Sequence, residues 1–321
     1  MSLLEVRDLY VTYRTRAGEV PVVRGVSFSI ETAGTLGLAG ESGCGKTTIA
    51  NALLRLLPAG TRIEGQVLLE GEDVYQMNPG RLRAVRWSEL AVVFQGALHS
   101  LDPVQKIGKQ IAEAIDLHTT QPRAATRTRV GALLEQVGLP ARRADEYPHQ
   151  LSGGQRQRVM IAMALACDPA VLIADEPTTA LDVMVQAQVL DLLQELQRER
   201  NLAVLFITHD LSVLTSVCRR LAVMYAGRIV EEGSSDVVFQ QPQHPYTRAL
   251  AAAFPTIGDP RSRMRPSGLE GDPPDPQQIP SGCPFHPRCD VAEDRCASTD
   301  VRLTPVGAGR RAACVKVGAD A

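Results

Sequence analysis

Residues Gly40-Glu41-Ser42-Gly43-Cys44-Gly45-Lys46-Thr47-Thr48 satisfy G-x-x-x-x-G-K-[ST] in full. Glycines at 40, 43 and 45 let backbone N–H groups converge on an anion without Cβ clashes, and a helix starting near Lys46 adds the positive end of its dipole. In such a cradle Lys46 reaches the β- and γ-phosphates of a nucleotide, and Thr47 offers its hydroxyl to Mg²⁺. A glycine-rich turn that meets the pattern by chance is the bland alternative. A strand before the loop and a helix after it argue against that.

Other residue types along the chain suit the same phosphates. Asp175-Glu176 follows the apolar run 170–174. Two adjacent carboxylates there fit two jobs: Asp175 holds Mg²⁺ through its shell, and Glu176 orients or deprotonates a water. A pair of helix-capping acids is the alternative, weakened by Pro177 and by the phosphate loop upstream. Gln95 ends the apolar run 90–94 and points into the crevice where α/β sheets bind ligands. His209 ends the run 202–207; it is either structural or placed to touch a γ-phosphate. Ser152-Gly153-Gly154 can open a helix running to Cys167 with exposed N–H groups, a second anion-binding helix start. Tyr13 is either an adenine-stacking ring or a packed strand aromatic.

Elements must place these groups. Thr35–Ala39 reads as a strand and Ile49–Leu57 as the helix after the loop, ending at Pro58-Ala59-Gly60. Residues 3–11 and 22–30 alternate as strands around a turn at Ala17-Gly18-Glu19, and 63–75 gives another strand pair. From Val104 to Tyr147 the spacing turns helical with polar faces, a helical insertion in the sheet domain. Leu90–Phe94, Ala170–Ala174 and Leu202–Ile207 are near-continuous apolar strands, as expected when both faces of a parallel sheet are covered. Thr178–Asp182 leads into a helix with Val185, Val189, Leu192, Leu193 and Leu196 on one face, and 221–230 is a last hairpin.

Length and charge narrow the class. With 321 residues the chain holds one large domain plus an appendage, or two domains. A net charge of −2 gives no global pull toward nucleic acid, and the Arg81/Arg83/Arg86 and Arg123/Arg127/Arg129 clusters read as solvated helix faces. No apolar stretch approaches the roughly 20 residues of a spanning helix, and the N-terminus lacks a secretion signal, so the chain is expected in the cytoplasm. Seven cysteines are then thiols or metal ligands rather than disulfides. Cys44, Cys167 and Cys218 read as ordinary buried or loop residues. Cys283, Cys289, Cys296 and Cys314 suggest a metal site, but their intervals of five, six and seventeen residues miss the usual Cys-x₂₋₄-Cys zinc spacing. A Pro/Gly-rich stretch at 255–282 precedes them as an ordered but irregular linker.

Taken together, these stations resemble the nucleotide-binding subunit of an ABC transporter over residues 3 to about 235: Walker A at 40–47, Q-loop Gln95, signature Leu151-Ser152-Gly153-Gly154-Gln155, Walker B at 171–176, D-loop Asp182 and switch His209. The resemblance implies an α/β P-loop NTPase core with an antiparallel β subdomain and a helical subdomain at about 96–160, within a nucleotide-binding domain at 1–240. It implies a head-to-tail dimer in which Walker A of one subunit and Ser152, Gly154 and Gln155 of the other enclose one ATP. Lys46 and the loop from Gly40 to Thr48, with Ser42 and Cys44, then bind phosphate. Thr47, Gln95 and Asp175 hold Mg²⁺, Glu176 is the general base, His209 meets the γ-phosphate, Asp182 lines the site and Tyr13 stacks on adenine. Cys44 and Thr47 stand where many relatives have Ser.

Residues 241–321 are similar to the small irregular extension of oligopeptide and dipeptide importer ATPases, through His244-Pro245-Tyr246-Thr247 and the cysteine set. That resemblance implies a [4Fe–4S] cluster on Cys283, Cys289, Cys296 and Cys314. Zinc recruiting His286 and unligated thiols are the alternatives. The implied partners are a second ABC ATPase, two transmembrane permeases and an extracytoplasmic peptide-binding protein, with the chain on the cytoplasmic face of the inner membrane and no nucleic acid. Against it stand a non-transport ABC ATPase of DNA repair or translation, a redox-sensing regulator, and an importer of nickel or glutathione.

Overall fold

A computed structural model describes residues 2–16, 18–96, 100–179, 181–253 and 269–317. Ala17 of the first expected turn, Ala180, and positions 255–268 of the expected linker at 255–282 lie outside the described residues. In chain order the described strands are β1 (Ser2–Thr15), β2 (Gly18–Glu31), β3 (Thr35–Ala39), β4 (Arg62–Leu69), β5 (Glu72–Asp73), β6 (Leu90–Val93), β7 (Val171–Asp175), β8 (Ala203–Thr208), β9 (Arg220–Tyr225), β10 (Arg228–Ser234), β11 (Thr304–Pro305) and β12 (Arg311–Ala312). The described helices are α1 (Lys46–Leu53), α2 (Pro79–Ser88), α3 (Ile107–His118), α4 (Arg123–Gln136), α5 (Gly153–Ala164), α6 (Val183–Arg200), α7 (Leu211–Val217), α8 (Ser235–Gln240) and α9 (Pro245–Ala253). None of them is long and apolar enough to cross a membrane.

The chain divides into two compact units. One comprises Met1–Leu3, Ile30–Gly34 and Gln76–Leu205. Here β6 and β7 pair in parallel, Leu90 with Val171 through Val93 with Ala174. Helices α3 and α4 bury Ile107, Ile111, Ala114 and Ile115, and Val130, Leu133 and Leu134, at the three- and four-residue intervals of amphipathic helices. Helix α6 buries Val189, Leu190, Leu192, Leu193 and Leu196 and stops at Asn201, left-handed at φ 53°.

The other unit comprises Leu4–Ser29, Thr35–Tyr75 and Phe206–Ala321. Its antiparallel sheet runs β2-β1-β4-β5, with the β1–β4 register shifting between Arg7 and Tyr10. In its second sheet β3 lies parallel to β9, β9 and β10 form the expected hairpin, and β12 pairs antiparallel with both β10 and β11. All five residues of β3 are buried.

Several boundaries depart from expectation. The helix after the phosphate loop ends at Leu53 rather than Leu57, and the one opening at Gly153 ends at Ala164 rather than Cys167. The sequence marks helix α2 only through the Arg81/Arg83/Arg86 face, without bounds; Asn78 caps it by accepting from the Arg81 N–H, and Trp87, at φ 75°, breaks its end. Two of the arginines expected as solvated are engaged instead: Arg81 pairs with Glu89, and Arg129 Nη2 lies 2.7 Å from both carboxylate oxygens of Asp168.

Candidate functional site

The phosphate loop lies between β3 and α1. A Cβ at Gly40 would sit 2.3 Å from the Met224 carbonyl oxygen, and one at Gly45 2.8 Å from that of Val22, so side chains are excluded there by the neighbouring backbone. Gly45, left-handed at φ 105°, precedes α1 and brings no side-chain cap. The first-turn N–H groups therefore keep the open start that suits an anion. Lys46 is 5% exposed, and its Nζ donates to the carbonyls of Gly40 (2.7 Å) and Glu41 (2.9 Å). Ser42, Gly43 and Thr47 are exposed, whereas Cys44 is buried with its thiol pushed up by burial. The Tyr13 hydroxyl, from β1, lies 3.3 Å from Thr48 Oγ1. His209, in the same unit, is the exposed first residue after β8, and Asp210 caps α7 by accepting from the N–H groups of Ser212 and Val213.

The carboxylates lie in the first unit. Asp175 ends β7 and is 2% exposed. Glu176 follows in a left-handed turn at φ 45°, a conformation uncommon outside glycine, asparagine and aspartate. Its Oε2 accepts from Gln95 Nε2 at 2.7 Å and from Thr179 Oγ1 at 2.8 Å. Gln95 and Glu176, expected from residues far apart in the chain, are thus brought together. Thr179 was missed by sequence reasoning; its signal was its place three residues on, in the turn closed by its N–H to the Glu176 carbonyl. The cap of the next helix, α6, is Asp182, whose Oδ1 accepts from the Val185 N–H at 3.0 Å.

Ser152 caps α5 within the same unit. Its Oγ accepts from the Gln155 N–H at 3.3 Å, while Gln155 Oε1 accepts from the Ser152 N–H at 3.0 Å. The helix start is therefore less open than expected, because this reciprocal box occupies one of the first-turn donors. Ser152 stays exposed and Gly154 is buried; a Cβ at Gly154 would lie 2.4 Å from Val185 Cγ1.

The cysteine module belongs to the second unit. Cys283, Cys289, Cys296 and Cys314 line one small pocket with His244, Phe285 and His286. Cys296 is buried and the other three are half-buried; all seven cysteines of the chain are free. Burial pushes the Cys283 and Cys289 thiols up. Four sulfur donors on one pocket are the donor chemistry of an iron–sulfur group. Among the described residues, no three His, Cys, Asp or Glu side chains stand close enough to hold a single metal ion. His286 Nδ1 is engaged with the Cys283 carbonyl at 2.9 Å, which leaves that ring one nitrogen for any ion.

Known proteins bear on these geometries. Residues 23–179 match the family described as ABC transporter, and residues 230–296 match the one described as oligopeptide/dipeptide transporter, C-terminal region. The oligopeptide transport ATP-binding protein OppD of Escherichia coli is 43% identical over 98% of this chain and 93% of its own length. The dipeptide transport ATP-binding protein DppD of Bacillus subtilis is 42% identical over 90% of this chain and 87% of its own. Among solved structures, the dimeric MJ0796, a bacterial ABC transporter cassette, covers 72% of this chain at a TM-score of 0.65 and 27% identity, with 98% of that cassette matched. The cbiO1 component of an ABC transporter complex from Clostridium perfringens covers 75% of this chain and 91% of its own at a TM-score of 0.64 and 28% identity.

Proposed function

We propose, for a chain that belongs to the ABC transporter family of ATP-binding proteins and shares its ATPase fold, that its ATP hydrolysis powers import of dipeptides and oligopeptides. The observation carrying the ATPase chemistry is the Glu176 carboxylate, held on Oε2 by Gln95 and Thr179. In this reading Glu176 takes a proton from water as the water oxygen bonds to the γ-phosphorus and the bond to the ADP oxygen breaks. Lys46 and the N–H groups of the loop from Gly40 to Thr48, that of Glu41 apart, bind the phosphates, and His209 contacts the γ-phosphate. Thr47, Gln95 and Asp175 would hold Mg²⁺, which supplies charge neutralisation on the phosphates. Tyr13 stacks on adenine. Ser152, Gly154, Gln155 and Asp182 act on the nucleotide held by a second ATPase subunit.

Peptide import is supported by full-length similarity to peptide-transport proteins, including the C-terminal region. We place a nucleotide-binding domain at 1–240 and the importer extension at 241–321. The chain works peripherally on the cytoplasmic face of the inner membrane, with two permeases and an extracytoplasmic peptide-binding protein, and without nucleic acid. Cys283, Cys289, Cys296 and Cys314 would hold a [4Fe–4S] cluster. When bound, the cluster ties these loops together through thiolate bonds. Four sulfurs on one pocket support thiolate ligation, and cysteine intervals outside the usual zinc spacing favour the cluster over zinc.

Uptake of labelled tripeptide by vesicles carrying the assembled complex tests the reading. ATP-dependent accumulation that Glu176→Gln abolishes is expected, and a complex whose ATPase and uptake ignore every peptide offered would overturn import. For the cluster, Cys289→Ser should lose visible iron–sulfur absorbance and iron; unchanged iron content would contradict the ligand set.

A further inference from the structure

Glu41 is an unexpected residue inside an anion cradle, since a carboxylate beside the phosphate loop repels the triphosphate the loop exists to hold. The same unit that contains the loop answers this charge from the far end of the chain. Arg288 forks the Glu41 carboxylate, Nη1 to Oε2 at 2.7 Å and Nη2 to Oε1 at 2.9 Å. Its side chain is 8% exposed against 21% for Glu41, a shielded bidentate pair rather than a surface one. The guanidinium lies over the rings of Tyr225 and Phe285 at 5.8 and 6.0 Å, and its Nε donates to the Glu270 carbonyl at 2.9 Å. Beside it Tyr246, fully buried, accepts the Glu41 N–H at 2.9 Å. The Glu41 carbonyl in turn holds Lys46 Nζ. Every polar group of Glu41, backbone and side chain, is therefore engaged.

We propose that Arg288 is a positioning residue of the nucleotide site that masks the charge of Glu41, so that the extension sets the affinity of the phosphate loop for ATP. This rests on the nucleotide reading of that loop. A bare unit charge about 10 Å away, at an effective dielectric of about 20, lowers an anion's affinity roughly tenfold. Removing Arg288 uncovers such a charge. Removing Glu41 as well takes the repulsion away, an outcome that mere loss of packing in the extension does not produce.

The test is binding of the non-hydrolysable analogue AMPPNP with Mg²⁺ to the full chain, with thermal unfolding as the check on folding. Arg288→Gln should bind about tenfold more weakly at low salt, and the deficit should shrink as salt screens it. Glu41→Gln, which leaves the Arg288 charge unanswered, should bind several-fold more tightly, and Arg288→Gln/Glu41→Gln should return to within about threefold of the unaltered chain. A folded Arg288→Gln with unaltered affinity, or a double variant as weak as Arg288→Gln alone, would overturn the proposal. If Arg288→Gln does not fold, Glu41→Gln decides: an affinity unaltered or weakened is the overturning result. Failure of the unaltered chain to bind AMPPNP would instead sink the nucleotide reading itself, and this proposal with it.

Discussion

A carboxylate can take a proton from water only if it is held where the water will stand, and Glu176 is held twice on one oxygen, by Gln95 and Thr179. Glu176→Gln keeps the shape and loses the basicity. ATP binding should survive while turnover falls about a hundredfold or more, measured as phosphate release alongside nucleotide affinity. Much at this scale was legible in the sequence, because Lys46, Glu176 and Gln95 announce themselves by residue type next to an apolar run or a glycine loop. Thr179 and Arg288 were not. A threonine in a turn has many uses, and a pairing between Glu41 and Arg288 spans 247 positions, with nothing local in either neighbourhood to signal it.

At the scale of elements, the connection between α8 and α9 turns on two buried titratable groups. Glu231, on β10, accepts the N–H groups of Gln243 and His244 at 2.9 Å each, and burial raises its carboxyl above the usual range. His244 Nδ1 accepts the Tyr246 N–H at 3.0 Å, and burial pushes the ring down to about 3. The folded ring stays neutral while the unfolded one gains a proton near 6.5, so between those values the unfolded chain binds more protons and stability falls as pH falls. By pH 5 the loss is about 2 kcal/mol. The urea midpoint should therefore drop further between pH 7.5 and pH 5.0 for the unaltered chain than for His244→Gln, which lacks this slope. The sequence foretold the long periodic helices and the apolar strands and gave α2 only as an arginine face without bounds, whereas the two-residue strands β11 and β12 escaped it. Two residues carry no periodicity, and α2, capped by Asn78, is broken at Trp87 before its pattern can accumulate.

For the whole molecule, the proposed pairing of cassettes makes activity depend on meeting a partner. Purified chain should hydrolyse ATP slowly when dilute, with specific activity rising as concentration brings two copies together; full activity in a sample shown to be monomeric would count against it. Motif order alone divides the chain at about position 240. What motif order hid is that the C-terminal segment shares a compact unit with the phosphate loop. Its last described strand also covers a sheet edge. Arg311–Ala312 pairs with Glu231 and Glu232, and the Ala313 N–H reaches the Val230 carbonyl at 2.8 Å, so the outer margin of β10 is stitched over. A chain cut before Arg310 would bare that margin to its neighbours in solution, and light scattering should find clumped protein where the uncut chain stays dispersed.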